Sequence, residues 1–261
     1  MENCLLNQSD PILEIMEKII DGKRRKRKRS VRETLLFRFR VLRTSAQWRS
    51  LPADFGPWQT VYYYFRKWRE EGVFEQLSAL LVGKARERLG RRREPSLGII
   101  DSRSVRTSHH VDTDRGIDGN KKVKGRKQHV VTDSLGLVIG AAVHPANVHD
   151  SKGAMLVLDG LRGASRRLTR IIADGGYRGN LADSVMERLG ARLEVTKQPK
   201  LPGRDFVPAG RRWVVERTFA WMENFRRLTI DYEFRSDSTV AMIYLANCYI
   251  ALNKVLKTLL E

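Results

Sequence analysis

The sequence predicts a mixed α/β domain preceded by a small all-helical module. Before Pro95 the apolar residues recur at helical spacing, and after it short apolar runs typical of strands alternate with helical segments. Hydrophobic residues make up 41% of the 261 positions, which is enough apolar content for a packed core. A wholly disordered chain is therefore excluded.

The helical module is predicted from three short segments. Apolar residues of the segment 31–42 repeat every three or four positions, and after the turn Phe55-Gly56-Pro57 two further helices are predicted at 59–70 and 73–81. Basic and aromatic residues are interleaved in the second helix, which favours a helix-turn-helix-like module that binds DNA. The alternative is a helical cap whose aromatic residues only form core. The predicted DNA contacts here are Arg66, Lys67 and Arg69.

The second part of the chain is predicted to form a sheet covered by helices. Residues 128–132 and 137–143 flank the turn Asp133-Ser134-Leu135-Gly136, which indicates a β-hairpin. The remaining predicted elements are strands at 97–102, 168–173 and 192–196, and helices at 151–161, 181–189, 213–228 and 238–260.

The net charge points to a polyanionic partner. The chain has 49 Lys and Arg against 30 Asp and Glu, a formal charge of +19, which favours nucleic acid over an anionic membrane. A block of seven consecutive cations is predicted to be an extended arm that binds DNA phosphates, although a solvated surface is the alternative. The block consists of Lys23, Arg24, Arg25, Lys26, Arg27, Lys28 and Arg29. The expected division is a basic arm at 1–29, a helical module at 30–90 and a catalytic domain at 91–261.

Several protein classes are excluded by simple features of the sequence. The two cysteines, Cys4 and Cys248, lie at opposite ends, which argues against a disulfide scaffold and fits a reducing cytoplasm. There is no run of 18 apolar residues and no signal-peptide pattern at the start. We therefore expect a cytoplasmic, nucleoid-associated protein with no membrane partner. No phosphate-loop motif is present, which disfavours nucleotide hydrolysis.

Three carboxylates are placed where catalysis is expected. Asp101 ends the first predicted strand, Asp174 ends a later one, and Glu216 lies within an apolar helix. Clustered acids repel one another, and a divalent cation removes that conflict; oxygen ligands suit Mg²⁺ or Mn²⁺. Two such ions about 4 Å apart hold the attacking and leaving oxygens of a phosphodiester. The alternative is that each acid only caps a turn or pairs with an arginine, and spacing does not choose Glu216 over Glu223.

Several ordered motifs identify a family. The sequence resembles the bacterial insertion-sequence transposases of the DDE, RNase H-like superfamily, close to the small family named after insertion sequence five. The resemblance covers about residues 31–255, and residues 1–29 match nothing in the family. The motifs are Val41-Leu42-Arg43-Thr44, Phe55-Gly56-Pro57-Trp58, Ile100-Asp101-Ser102, Ala173-Asp174-Gly175-Gly176-Tyr177 and Val214-Val215-Glu216-Arg217-Thr218-Phe219.

The resemblance implies a fold and an activity. The fold would be RNase H-like, with Asp101, Asp174 and Glu216 as a catalytic, metal-binding triad holding Mg²⁺, or Mn²⁺ in its place, as two ions. The protein would cut phosphodiesters at the inverted repeats of double-stranded DNA and join the freed 3′-OH to target DNA, working as a homodimer on paired ends. The alternatives are an inactive, DNA-binding repressor derived from a transposase, and an RNase H-like nuclease without strand transfer.

The region around Glu216 departs from the family pattern in part. Arg212 matches the family's arginine, but Ala209 and Glu223 replace its tyrosine and lysine. Arg226 or Arg227 is our hypothesis for the missing cation.

Other polar residues are assigned lesser roles. His109 and His110 are predicted to lie in a polar loop near DNA, with a zinc site as the disfavoured alternative. His149-Asp150 is predicted to cap a helix, with support of the active site as the alternative. A flexible basic loop and the residue after the Asp174 motif complete the expected contacts to DNA. Those contacts are Lys124, Arg126, Lys127, Arg178 and Arg212.

Overall fold

The computed structural model describes residues 31–161, 166–177, 180–196 and 212–260. Helix α1, Val31–Thr44, has the predicted amphipathic character, since Leu35, Phe39 and Leu42 are all buried. The predicted basic arm, Lys23 to Arg29, and Arg178 lie outside the described residues.

The next two helices complete the helical module. Helix α2 spans Trp58–Glu70 and α3 spans Val73–Arg88, joined at Gly72, whose φ of +66° favours glycine. The predicted end of α3 at residue 81 is wrong, because Val82 and Ala85 still face the core and continue the helix.

The sheet is mixed, with one antiparallel hairpin and three strands that run parallel. Along the sheet the main strands run β4-β3-β1-β5-β6; β1 is antiparallel to β3 and parallel to β5, and β5 is parallel to β6. The predicted hairpin is confirmed as β3 and β4, while the short β2 pairs with the start of β3 and was not predicted. The bounds are β1 Leu97–Arg106, β2 Gly116–Asp118, β3 Val123–Thr132, β4 Val138–Pro145, β5 Arg170–Ala173 and β6 Arg192–Val195.

Helices cover both faces of the sheet, and alternate residues of a strand enter different cores. Ile99 packs with the helical module and the C-terminal helices, whereas Ile100 packs with α4 and α5 on the other face. The helical module thus shares one core with the sheet. The bounds are α4 Asp150–Gly160, α5 Leu181–Leu189, α6 Trp213–Glu223, α7 Arg226–Thr229 and α8 Ser236–Leu260.

The predicted helix at 213–228 is two helices. Phe225 has an extended backbone, with φ −102° and ψ 99°, and its buried ring packs in the core. The helix is therefore interrupted at this residue, between α6 and α7. In the part of the chain that the structure describes, no helix is both long enough and apolar enough to cross a membrane.

Candidate active site

Asp101 and Asp174 meet where two parallel strands separate. The last parallel pair joins Ile99 of β1 to Ile172 of β5, after which β5 ends at Ala173 and Asp174 follows. The prediction that Asp101 ends its strand is wrong, because β1 continues to Arg106 by pairing with β3. Asp101 nevertheless lies just past its last pair with β5, which places it beside Asp174.

Backbone amides orient both carboxylates. The amide of Ser102 donates to Asp101 Oδ1 at 2.7 Å, and the amide of Gly176 donates to Asp174 Oδ1 at 2.8 Å. A Cβ on Gly176 would stand only 3.0 Å from that Asp174 oxygen, so the turn needs a glycine. Burial, and to a lesser extent the negative charge of Asp174, raise the pKa of Asp101 to about 6.

Arg212 links the third acid to this pair. It donates to Glu216 Oε1 at 2.7 Å and to Asp174 Oδ2 at 3.4 Å, so one guanidinium joins the two carboxylates. Glu223, which spacing could not separate from Glu216, instead lies exposed 3.9 Å from Arg103. Of the two glutamates, only Glu216 is therefore brought to Asp174.

Two contacts fix the helix that carries Glu216. Arg103 of β1 donates to the carbonyls of Phe219 in α6 and Leu228 in α7. Thr218 donates to the carbonyl of Gly136 in the β3–β4 turn at 2.8 Å. The position of α6 is therefore set by the strand that carries Asp101 and by the hairpin beside it.

The donor chemistry fits a divalent cation only in part. Asp101 and Asp174 offer oxygen ligands, and the pKa of Asp101 is raised chiefly by burial and also by the charge of Asp174, so a bound cation would stabilise its ionised form. Glu216, however, is paired with Arg212. Among the described residues, no three His, Cys, Asp or Glu side chains are arranged to hold a metal ion. Glu216 would have to leave Arg212 to become a ligand.

Asp150 lies beside the two aspartates, which the helix-cap prediction did not foresee. His149 is the cap of α4, since its ring nitrogen accepts from the amide of Ser151 at 3.3 Å. Asp150 turns inward, where it accepts from the hydroxyl of Ser102 at 2.9 Å and contacts Lys127 Nζ at 3.0 Å. The two neighbours thus have different roles.

A buried histidine pair lies behind Asp150. His129 Nδ1 and His144 Nε2 are 2.7 Å apart, and His144 Nδ1 donates to the carbonyl of Pro145. With both rings neutral, His144 Nε2 is the acceptor and His129 Nδ1 the donor. Burial, and next the neighbouring histidine, lower the pKa of His129 to about 3, and burial also lowers the pKa of His144.

Comparison with known families decides the assignment. The family model described as the transposase DDE domain matches residues 92–251. The chain belongs to this family. A second model, described as a putative transposase of the IS4/5 family, matches residues 8–78. The prediction that residues 1–29 match nothing in the family is therefore wrong from residue 8 onward.

Individual relatives of this DDE-domain chain are more distant. A putative transposase for insertion sequence element IS402 from Burkholderia cepacia is 35% identical over 136 residues, which cover 49% of this chain and 64% of that protein. The matched region thus spans less than two thirds of that relative. The crystal structure of the Mos1 mariner paired end complex with Mn aligns over 97% of this chain and 88% of that one, with 14% identity and a TM-score of 0.31.

Three of the residues predicted to contact DNA are structural in this transposase-family chain. Arg126 is fully buried and donates to Asp231 and to the carbonyl of Glu233, and Lys127 is buried against Asp150. Arg69 has a largely buried side chain that donates to Ser238 at 2.7 Å. A buried cation keeps its partners, so the prediction that these residues face DNA is corrected.

The other predicted cations in the described part of the chain differ in exposure. Lys124 is exposed at the start of β3, while Arg66 and Lys67 are exposed on α2 within reach of acids one helical turn on. Arg227 is buried against Glu233 and the carbonyl of Ala46, so it cannot replace the family's lysine. Arg226 is exposed and remains available for that role.

A cleft of about 1200 Å³ lies between the helical module and the loop after α7. Among the described residues of its lining, the one carboxylate is that of Glu233, which pairs with Arg227, so the remaining charge of this lining is positive. His110 lies at its edge and contacts Ser108. The cleft combines aromatic faces with cations, the combination that binds nucleic acid. Those side chains are Trp48, Trp58, Tyr62, Arg49 and Arg226.

Proposed function

We propose that the chain is a DNA transposase that cuts phosphodiester bonds at insertion-sequence ends and joins the freed 3′-OH to target DNA. The observation that carries the proposal is the placement of Asp101 and Asp174 at the point where two parallel strands diverge, with Arg212 joining Glu216 to Asp174. Membership of the transposase DDE-domain family supports the same chemistry.

Two reactions at one centre make up the proposed activity. A water oxygen attacks the phosphorus at the element end, and the bond to the 3′ oxygen breaks, which leaves a 5′-phosphate and a 3′-OH. That hydroxyl then attacks a phosphodiester of target DNA, and the new bond replaces the one that breaks. Mg²⁺ or Mn²⁺, held by Asp101, Asp174 and Glu216, would stabilise the charge on the phosphate oxygens.

The chain's own residues bind and orient the DNA. Arg212 presents a planar donor pair that suits phosphate oxygens as well as carboxylates. The positively charged cleft, with Arg49 and Arg226 at its surface, would hold the duplex beyond the cut site. Two copies would hold the two ends of the element.

A cleavage and joining assay tests the proposal. Labelled end DNA is incubated with the protein and Mg²⁺, and both nicked and joined products are scored. We expect Asp174→Ala to bind the end DNA as the wild type does and to lose cleavage. Undiminished cutting by that variant would contradict the site, cutting without joining would indicate a nuclease, and binding without cutting by the wild type would indicate a repressor.

A further inference from the structure

Asp150 anchors the part of β1 that carries Asp101. Beyond Ile99, β1 has no further pair with β5, so on that side Asp101 and Ser102 are not held by a strand. The hydroxyl of Ser102 instead donates to Asp150 Oδ1 at 2.9 Å, while its backbone amide donates to Asp101 Oδ1 at 2.7 Å. Ser102 thus connects the two carboxylates directly.

Asp150 is itself held from the opposite strand. Lys127 of β3 contacts Asp150 Oδ1 at 3.0 Å and donates to the carbonyl of Val148 at 3.0 Å. Partial burial opposes ionisation of Asp150, but hydrogen bonds from Lys127 and Ser102 together lower its pKa. Asp150 is therefore a charged, fixed acceptor.

The second oxygen of Asp150 faces the site. A Cβ built on Gly176 would lie 3.7 Å from Asp150 Oδ2 and 3.0 Å from Asp174 Oδ1, so these oxygens flank the same small gap. Asp150 therefore forms part of the wall around the acids, although it belongs to none of the three acid motifs.

We propose that Asp150 is a positioning residue of the catalytic centre, which holds the Asp101 carboxylate in place through Ser102. This inference rests on the proposed function, because its purpose is the orientation of Asp101 toward a divalent cation. Without the Asp150 acceptor, the Ser102 hydroxyl would turn to another partner. The edge of β1 that no longer pairs with β5 would then become more mobile at Asp101.

Two substitutions at Asp150 and one at its neighbour test the proposal. Asp150→Ala removes the acceptor, and we expect about a tenfold weaker binding of Mn²⁺ to the protein alone and a similar rise in the Mg²⁺ needed for half-maximal cleavage, the effect of one lost charged hydrogen bond. Asp150→Asn keeps an oxygen for Ser102, and we expect it to recover to within about threefold of the wild type. Mn²⁺ binding is measured by electron paramagnetic resonance of the free ion.

His149→Ala is the matched control. It removes the cap of α4 and should lower the thermal midpoint of the protein slightly, without touching Ser102. We expect its Mn²⁺ binding and its Mg²⁺ requirement to equal those of the wild type. If this variant shifts either quantity as Asp150→Ala does, loosening of α4 alone explains the effect and the proposal is overturned.

Further outcomes separate this inference from the proposed function. Asp150→Asn that is as impaired as Asp150→Ala would overturn the hydrogen-bond argument. If Asp150→Ala does not fold, Ser102→Ala removes the same bond from its other end and must show the same loss of Mn²⁺ binding. A wild-type protein that never cleaves would contradict the proposed function, whereas the Mn²⁺ measurements would still decide the role of Asp150.

Discussion

Asp101→Asn should make the folded chain more stable while it removes the proposed activity. The pKa of Asp101 rises from 3.8 to about 6 in the folded chain, chiefly through burial. Each unit corresponds to about 1.4 kcal/mol, so ionised Asp101 costs the fold about 3 kcal/mol. Asparagine removes the charge and keeps an oxygen that accepts from the amide of Ser102. We therefore expect a gain of about 2–3 kcal/mol at neutral pH.

The gain should depend on pH in a definite direction. Since the folded chain binds the Asp101 proton more tightly than the unfolded chain does, wild-type stability falls as the pH rises from about 4 to about 6, and the full cost is present above that window. The advantage of Asp101→Asn should therefore be complete above about pH 6 and disappear below about pH 4, where Asp101 is protonated in both states.

Urea unfolding in the presence of a chelator, followed by tryptophan fluorescence, measures this free energy at both pH values. Asp159→Asn is a suitable control, because Asp159 of α4 is an exposed carboxylate that pairs with exposed Arg188, so its change should stay within about 0.5 kcal/mol. A gain for Asp101→Asn below about 0.5 kcal/mol at neutral pH, or an equal gain near pH 4, would refute the reasoning.

Three further predictions follow from the packing and the charged surface. Asn247 hydrogen-bonds to the backbone amide and carbonyl of Val138 and to the hydroxyl of Ser78. We expect Asn247→Ala to lower the free energy of unfolding, measured in urea, by about 3 kcal/mol. Arg126→Met should lower the thermal midpoint sharply, because it leaves Asp231 buried without its charge partner, while residual folded protein binds DNA normally. Arg49→Ala with Arg226→Ala should weaken DNA binding and reduce the slope of log affinity against log salt by about one for each arginine, measured by fluorescence anisotropy. If the slope of log affinity against log salt is unchanged, the DNA does not bind in this cleft.

Local patterns were sufficient to predict many of the elements. The β3–β4 hairpin follows from its turn, where Asp133 Oδ1 accepts from the amides of Leu135 and Leu137 and Gly136 takes a φ of +81°. The first helix follows from its apolar period, which the buried Leu35 and Phe39 confirm. In both cases the residues that predict the element lie within the element or its turn.

Features that depend on contacts between distant parts of the chain could not be predicted from local sequence patterns. The length of β1 past Asp101 depends on pairing with β3, and no residue near Asp101 encodes it. The burial of Lys127 depends on Asp150, and the burial of Arg126 on Asp231, more than a hundred positions away. A run of basic residues gives no indication of which members are paired in the fold, so Arg126 and Lys127, both predicted to bind DNA, are among the cations that are structural.

Arg212 explains how acids that repel one another are held at one place. Its guanidinium lies 2.7 Å from Glu216 and 3.4 Å from Asp174, and its charge also opposes the raised pKa of Asp101. A planar fork can serve two carboxylates at once, whereas a lysine ammonium has no such fixed donor pair. The same fork fits phosphate oxygens. Under the proposed function, DNA phosphate and two acids therefore compete for one guanidinium, so the residue that gathers the acids before DNA binds is also the one best placed to receive the phosphate.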